Sequence, residues 1–93
     1  MDDLHEVLAN RDSRYGGFSN VAKTARSFKA SAAVNENHYK RTSAEEKEAL
    51  DMIFHKLARI LCQQGYDGDS WLDVAGYALL AHEAAIKRAK EEE

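Results

Sequence analysis

Apolar residues recur at helical spacing along most of the chain. Leu4, Val7 and Leu8 stand at i, i+3 and i+4 and predict a short first helix from Asp3 to about Asn10, with Asp2 or Asp3 as its cap. A second helix is predicted from a cap at Ser19 or Asn20 to about Val34, its stripe formed by Val21, Ala25, Phe28 and Ala32. The third has the clearest start. Ser43-Ala44-Glu45-Glu46 matches a capping box, in which the serine hydroxyl and the glutamate three residues on satisfy each other's backbone N–H groups. Leu50, Ile53, Phe54, Leu57, Ile60 and Leu61 follow as the strongest apolar stripe, and Gly65 is the expected stop. Tyr66-Asp67-Gly68-Asp69 reads as a turn, after which Asp69 or Ser70 caps a fourth helix from Trp71 toward the C-terminus, supported by Val74, Ala75, Ala78, Leu79 and Ala81. Its charged end, residues 88–93, is expected to fray.

This pattern predicts an all-α fold: one domain over residues 1–93, a small helical bundle of about four helices. The third and fourth helices, joined by a tight turn, form an antiparallel hairpin. The absence of proline fits, because proline breaks helix interiors. No alternating β-branched run competes with the helical reading. A chain of 93 residues buries a modest fraction of its surface, so a site between helices or between subunits is easier to build than one inside the core.

Composition narrows the chemistry. The lone cysteine, Cys62, allows no intrachain disulfide and no cysteine-based zinc site, and its apolar setting reads as packing. Met1-Asp2-Asp3 lacks the basic start of a signal peptide, and no apolar run reaches the roughly 18–20 residues that span a bilayer. A cytoplasmic location without membrane attachment is the expectation. The net charge of −3 argues against long nucleic acid as a partner. The charge is unevenly spread, however. Residues 20–41 carry Lys23, Arg26, Lys29, Lys40 and Arg41 against Glu36 alone, a balance that suits a small anionic ligand.

Several clusters carry candidate chemistry. Arg14-Tyr15-Gly16-Gly17-Phe18 joins an arginine that can grip phosphate, a ring that can stack and glycines that admit close backbone approach. Lys23 and Arg26 lie three apart on the basic face of the second helix, which reads equally as a solvated face or a phosphate-contacting wall. Lys56 and Arg59 share a face of the third helix, and Asp69, Asp73 and Tyr77 share one of the fourth. These two faces meet either as an ion pair that fixes the hairpin or as a polar site for an anion. Glu45 and Glu48 on the third helix, with Asp69 and Asp73 on the fourth, are the carboxylates a magnesium site would use. A hairpin puts the two pairs at opposite ends. Of the four histidines, His38 in the basic turn is the one to test.

Arg11 or Arg14 with Tyr15-Gly16 and Phe18, then Lys56/Arg59/Ile60, then Asp69/Asp73/Tyr77, together resemble the pattern of small phage-encoded helical proteins described as distantly MazG-like. The resemblance implies an all-α homo-oligomer handling a nucleotide, in a host cytoplasm if the chain is phage-encoded. MazG-like relatives are magnesium-dependent nucleoside triphosphate pyrophosphatases with E-x-x-E on one helix and E-x-x-D on the next. Glu45 and Glu48 imitate the first half, but no E-x-x-D stands on the fourth helix. The expectation is therefore a nucleotide-binding protein without catalytic residues or cofactor, a sponge for a nucleotide immune signal in an anti-defence role. Its ligand-binding residues are Arg14, Tyr15, Gly16, Lys23, Arg26, Lys56, Arg59 and Tyr77. The alternatives are a MazG-like pyrophosphatase with Mg2+ on Glu45, Glu48, Asp69 and Asp73, and a protein–protein interaction module with a large exposed apolar patch and no pocket.

Overall fold

The computed structural model describes Leu4 and residues 17–35, 41–63 and 67–92. Among them are three helices and no strand: α1 (Phe18–Val34), α2 (Ala44–Cys62) and α3 (Gly68–Glu92). The fold is all-α, but the expected fourth helix is not matched. The segment predicted to form it, Asp3 to Asn10, lies outside the described residues except for the exposed Leu4.

Each helix start has a local cause. The N-cap of α1 is Gly17, at φ 95° and ψ 141°, with no side-chain cap. Ser19 and Asn20, the predicted caps, sit inside the first turn instead. Only glycine adopts that backbone region without strain, and this decides where the helix begins. At α2 the capping box forms as predicted: Glu46 N donates to Ser43 Oγ at 3.1 Å, and Ser43 N donates to Glu46 Oε1 at 3.1 Å. At α3 the cap is Asp67, which accepts from Ser70 N at 3.1 Å and from the Ser70 hydroxyl. The predicted caps Asp69 and Ser70 lie within the first turn. Asp67 and Ser70 are both buried, so the cap is also a packed element.

α2 is the shared element. On one side it takes α1, through a core of Val21, Ala25 and Ala58 with Phe28 and Cys62 packed against it. Phe28 stacks on Phe54 with ring centroids 6.0 Å apart, an arrangement worth about 0.5–1.5 kcal/mol beyond burial. Cys62 Sγ lies 3.7 Å from Thr24 Oγ1. On the other side α2 takes α3. Lys56 Nζ is 3.0 Å from Asp73 Oδ2 and Arg88 Nε is 2.7 Å from Glu46 Oε1. Position 46 thus faces 88 while 56 faces 73, which is antiparallel order. Arg88 also reaches Glu92, and α3 stays helical to that residue.

The core is thin. Among the described residues the buried apolar ones are Val21 and four alanines: Ala25, Ala49, Ala58 and Ala84. The large side chains of the α2 stripe, from Leu50 to Ile60, are half-buried, and Leu61 is exposed. With a helix on either side, the small residues take the closest approach while the large ones straddle the grooves.

Candidate functional site

The charges of Lys29 on α1 and of Arg59 and Lys56 on α2 act on one imidazole, that of His55. Lys23, Arg26 and Lys29 step by three along α1; the first two are exposed and Lys29 is half-buried. On α2, His55, Lys56 and Arg59 are all half-buried. Burial, and then the charges of Arg59, Lys29 and Lys56, hold the His55 pKa below the ordinary value. The imidazole is therefore neutral at pH 7, able to donate one hydrogen bond and accept another. Lys56 spends its ammonium on Asp73, the ion pair that a hairpin of these two faces predicts.

A groove lies between α2 and α3. It encloses about 500 Å³ and is lined by Glu45, Glu48, Ala49, Tyr77, Leu80, Glu83, Ala84 and Lys87. Alanines and leucine form its apolar part, and three carboxylates against one lysine make it acidic. Tyr77 lines this groove, where phosphate is disfavoured.

The predicted residues are thus divided. Lys56 and Arg59 act on His55, Lys23 and Arg26 are exposed on α1, and Tyr77 lines the acidic groove. Arg14, Tyr15, Gly16 and His38 lie outside the described residues. Glu45 and Glu48 are not brought to Asp69 and Asp73. The ten residues from Glu46, opposite Arg88, to Lys56, opposite Asp73, span about 15 Å at 1.5 Å per residue. Among the described residues no group of three or more His, Cys, Asp or Glu side chains is arranged to hold a metal ion. The lysine at Asp73 already supplies the cation that carboxylate needs.

Two residues of the cluster about His55, Lys29 and His55 itself, were not among the predicted ligand-binding set. Lys29 was legible as the third step of the Lys23–Arg26 series. His55, beside Lys56, carried no signal apart from its neighbour. Glu83 and Lys87 of the acidic groove were legible only as exposed charges of a long helix.

Residues 3–85, a span that takes in the cations about His55 and the acidic groove apart from Lys87, match the family described as Domain of unknown function (DUF6378). The chain belongs to the DUF6378 family. No curated protein and no solved structure matches it. Within this DUF6378 chain no helix among the described residues is long and apolar enough to cross a membrane.

Proposed function

We propose that this DUF6378 chain binds a small phosphate-bearing, nucleotide-like anion beside His55 and holds it without hydrolysis. The observation that carries this reading is the gathering of Lys29, Lys56 and Arg59 around a desolvated, neutral His55. Charges from two helices on one imidazole give a local field that favours an anion despite the net charge of −3. The separation of Glu45 and Glu48 from Asp69 and Asp73 favours binding over magnesium-dependent pyrophosphatase chemistry, which needs carboxylates at one ion pair or ion. Sequestration of a nucleotide signal in a host, an anti-defence role, is the form of this reading suggested by the likeness to small phage-encoded proteins.

The test is incubation with a nucleotide panel and magnesium, followed by chromatography of the filtrate and of what the denatured protein releases. Depletion with intact recovery supports the proposal. Conversion to products favours the pyrophosphatase instead, and an unchanged filtrate removes both. Lys29→Ala and Arg59→Ala are each expected to weaken binding about tenfold or more, the loss of one hydrogen bond to a charged group at about 1.5–3 kcal/mol. Wild-type affinity in both variants would sink the assignment of this site.

The pH dependence has a definite sign. A bound anion raises the His55 pKa, which the cations depress in the free protein. Binding then takes up a proton, so affinity is expected to rise as pH falls below neutrality, and to level off below the free protein's His55 pKa. A phosphodiester ligand keeps its own charge constant over this range. Titration calorimetry in wild type and His55→Asn checks the effect, the variant giving a flat profile.

A further inference from the structure

The groove between α2 and α3 is charged at one end and apolar at the other. The ion pairs of the hairpin set its order. Glu46 meets Arg88 at one end of the seam and Lys56 meets Asp73 further along it. Glu45 and Glu48, next to Glu46, and Lys87, next to Arg88, therefore lie toward the first end, with Glu83 one turn before Lys87. Leu80 and Tyr77 stand about 10 and 15 Å back from Lys87 along α3, at 1.5 Å per residue. Ala49 and Ala84, both buried, form the floor. Leu80 is 59% exposed and Tyr77 half-buried, so the apolar end is open to water.

The charged end is uncompensated. Three carboxylates stand against the ammonium of Lys87. Among the described residues the ion pairs engage Asp73, Glu46 and Glu92, and Glu45, Glu48 and Glu83 are paired with no cation. A bare metal ion does not answer this charge, because no group of three or more His, Cys, Asp or Glu among the described residues is arranged to hold one. Carboxylates that rim an apolar groove without converging suit a cation that carries its own apolar body. An ammonium group has three N–H donors to share between carboxylates. A ring attached to it covers Leu80 and packs on the Tyr77 ring, releasing water from both. The volume of about 500 Å³ lies within the roughly 300–1,000 Å³ of small-molecule sites, which favours a small molecule over a protein segment.

We propose that this groove binds a small amphiphilic organic cation of the aryl-alkyl ammonium class, its ammonium among Glu45, Glu48 and Glu83 and its ring along Leu80 toward Tyr77. None of these residues acts on His55, so the site stands or falls independently of anion binding.

The experiment is titration of the isotope-labelled full chain with phenethylamine, followed by amide chemical shifts, beside a titration with hydrocinnamate, which has a similar body and the opposite charge. Saturable shifts at residues 45–49 and 77–87 are expected with phenethylamine and none with hydrocinnamate. Glu48→Gln and Glu83→Gln are at exposed positions and are expected to keep the wild-type amide pattern. Each should weaken phenethylamine binding about threefold to fivefold, the reach of one exposed ion pair. Equal binding of both compounds, or wild-type affinity in both variants, overturns recognition by charge. Saturable shifts confined to other residues overturn the choice of groove. Absence of any saturable shift with phenethylamine overturns the proposal outright; if a helical peptide of lysine and leucine then shifts the same amides, the groove is a protein-docking surface instead.

Discussion

Ala58→Asp is expected to abolish cooperative folding. Ala58 is fully buried on α2 at the point where Val21 and Ala25 of α1 come closest. A carboxylate there gains no opposite charge within the cluster, and the apolar contacts on which α1 docks are disrupted. The group must either be buried charged or be protonated, and both routes cost several kcal/mol. A domain of this size holds about 5–15 kcal/mol in total, and among the described residues the buried core is alanines and one valine, which leaves little in reserve. Ala58→Leu tests the same site by volume instead of charge. The added methylenes have no space to fill, and overpacking costs about 1–3 kcal/mol, lowering Tm by roughly 4–8 °C for each kcal/mol. Far-ultraviolet circular dichroism and thermal melts check both variants. A Tm for Ala58→Asp within a few degrees of wild type would mean that α1 does not dock on α2 through this cluster.

The second large effect is at Glu46, where three elements meet. Its carboxylate accepts from Arg88 Nε at 2.7 Å and from Ser43 N, and its own N–H donates to Ser43 Oγ. The Arg88 hydrogen bond, followed by that from the Ser43 backbone, lowers the Glu46 pKa from 4.5 to about 2. The folded protein therefore binds fewer protons than the unfolded chain between these values. Stability from Glu46 is fully present above about pH 4.5 and is lost as pH falls toward 2. Glu46→Gln keeps the shape but removes the charge, and Glu46→Ala removes half of the capping box as well. Loss of the cap and of a hydrogen bond to a charged group together cost about 2–3 kcal/mol for the alanine variant. The glutamine variant is expected to lose less at pH 7 and to show a flatter stability profile between pH 4.5 and 2. Chemical denaturation at a series of pH values reads both effects. Equal acid sensitivity in wild type and Glu46→Gln would assign the acid transition to other carboxylates.

The features legible in the sequence were local ones. Ser43 and Glu46 formed the expected box because its geometry depends on four consecutive residues. The hairpin followed from a tight turn between two strong stripes, and the pairing of Lys56 with Asp73 followed from the hairpin. The caps of α1 and α3 were placed two or three residues late. At α3, Asp67, Asp69 and Ser70 are all good caps, and only the packing that buries Asp67 and Ser70 selects among them. Of the candidate site, Lys56 and Arg59 were legible as charges on one face. Their company was not: Lys29 comes from a helix distant in sequence, and Tyr77, read with the cations, faces Glu45, Glu48 and Glu83.

What the sequence determines by itself is therefore which segments are helical and which residues share a face of each, since the 3.6-residue period fixes those angles within one helix. Only the tertiary structure decides which face points inward. On α3 an apolar stripe was expected to pack, yet Ala75, Ala78 and Leu79 are exposed while Asp73 and Tyr77 turn toward α2. The reason lies on the other helix. Lys56 offers Asp73 a charge partner at 3.0 Å, and Arg88 finds Glu46 at 2.7 Å. Those pairs set the rotation of α3, and a rotation imposed by partners on another helix is not encoded in the period of its own residues.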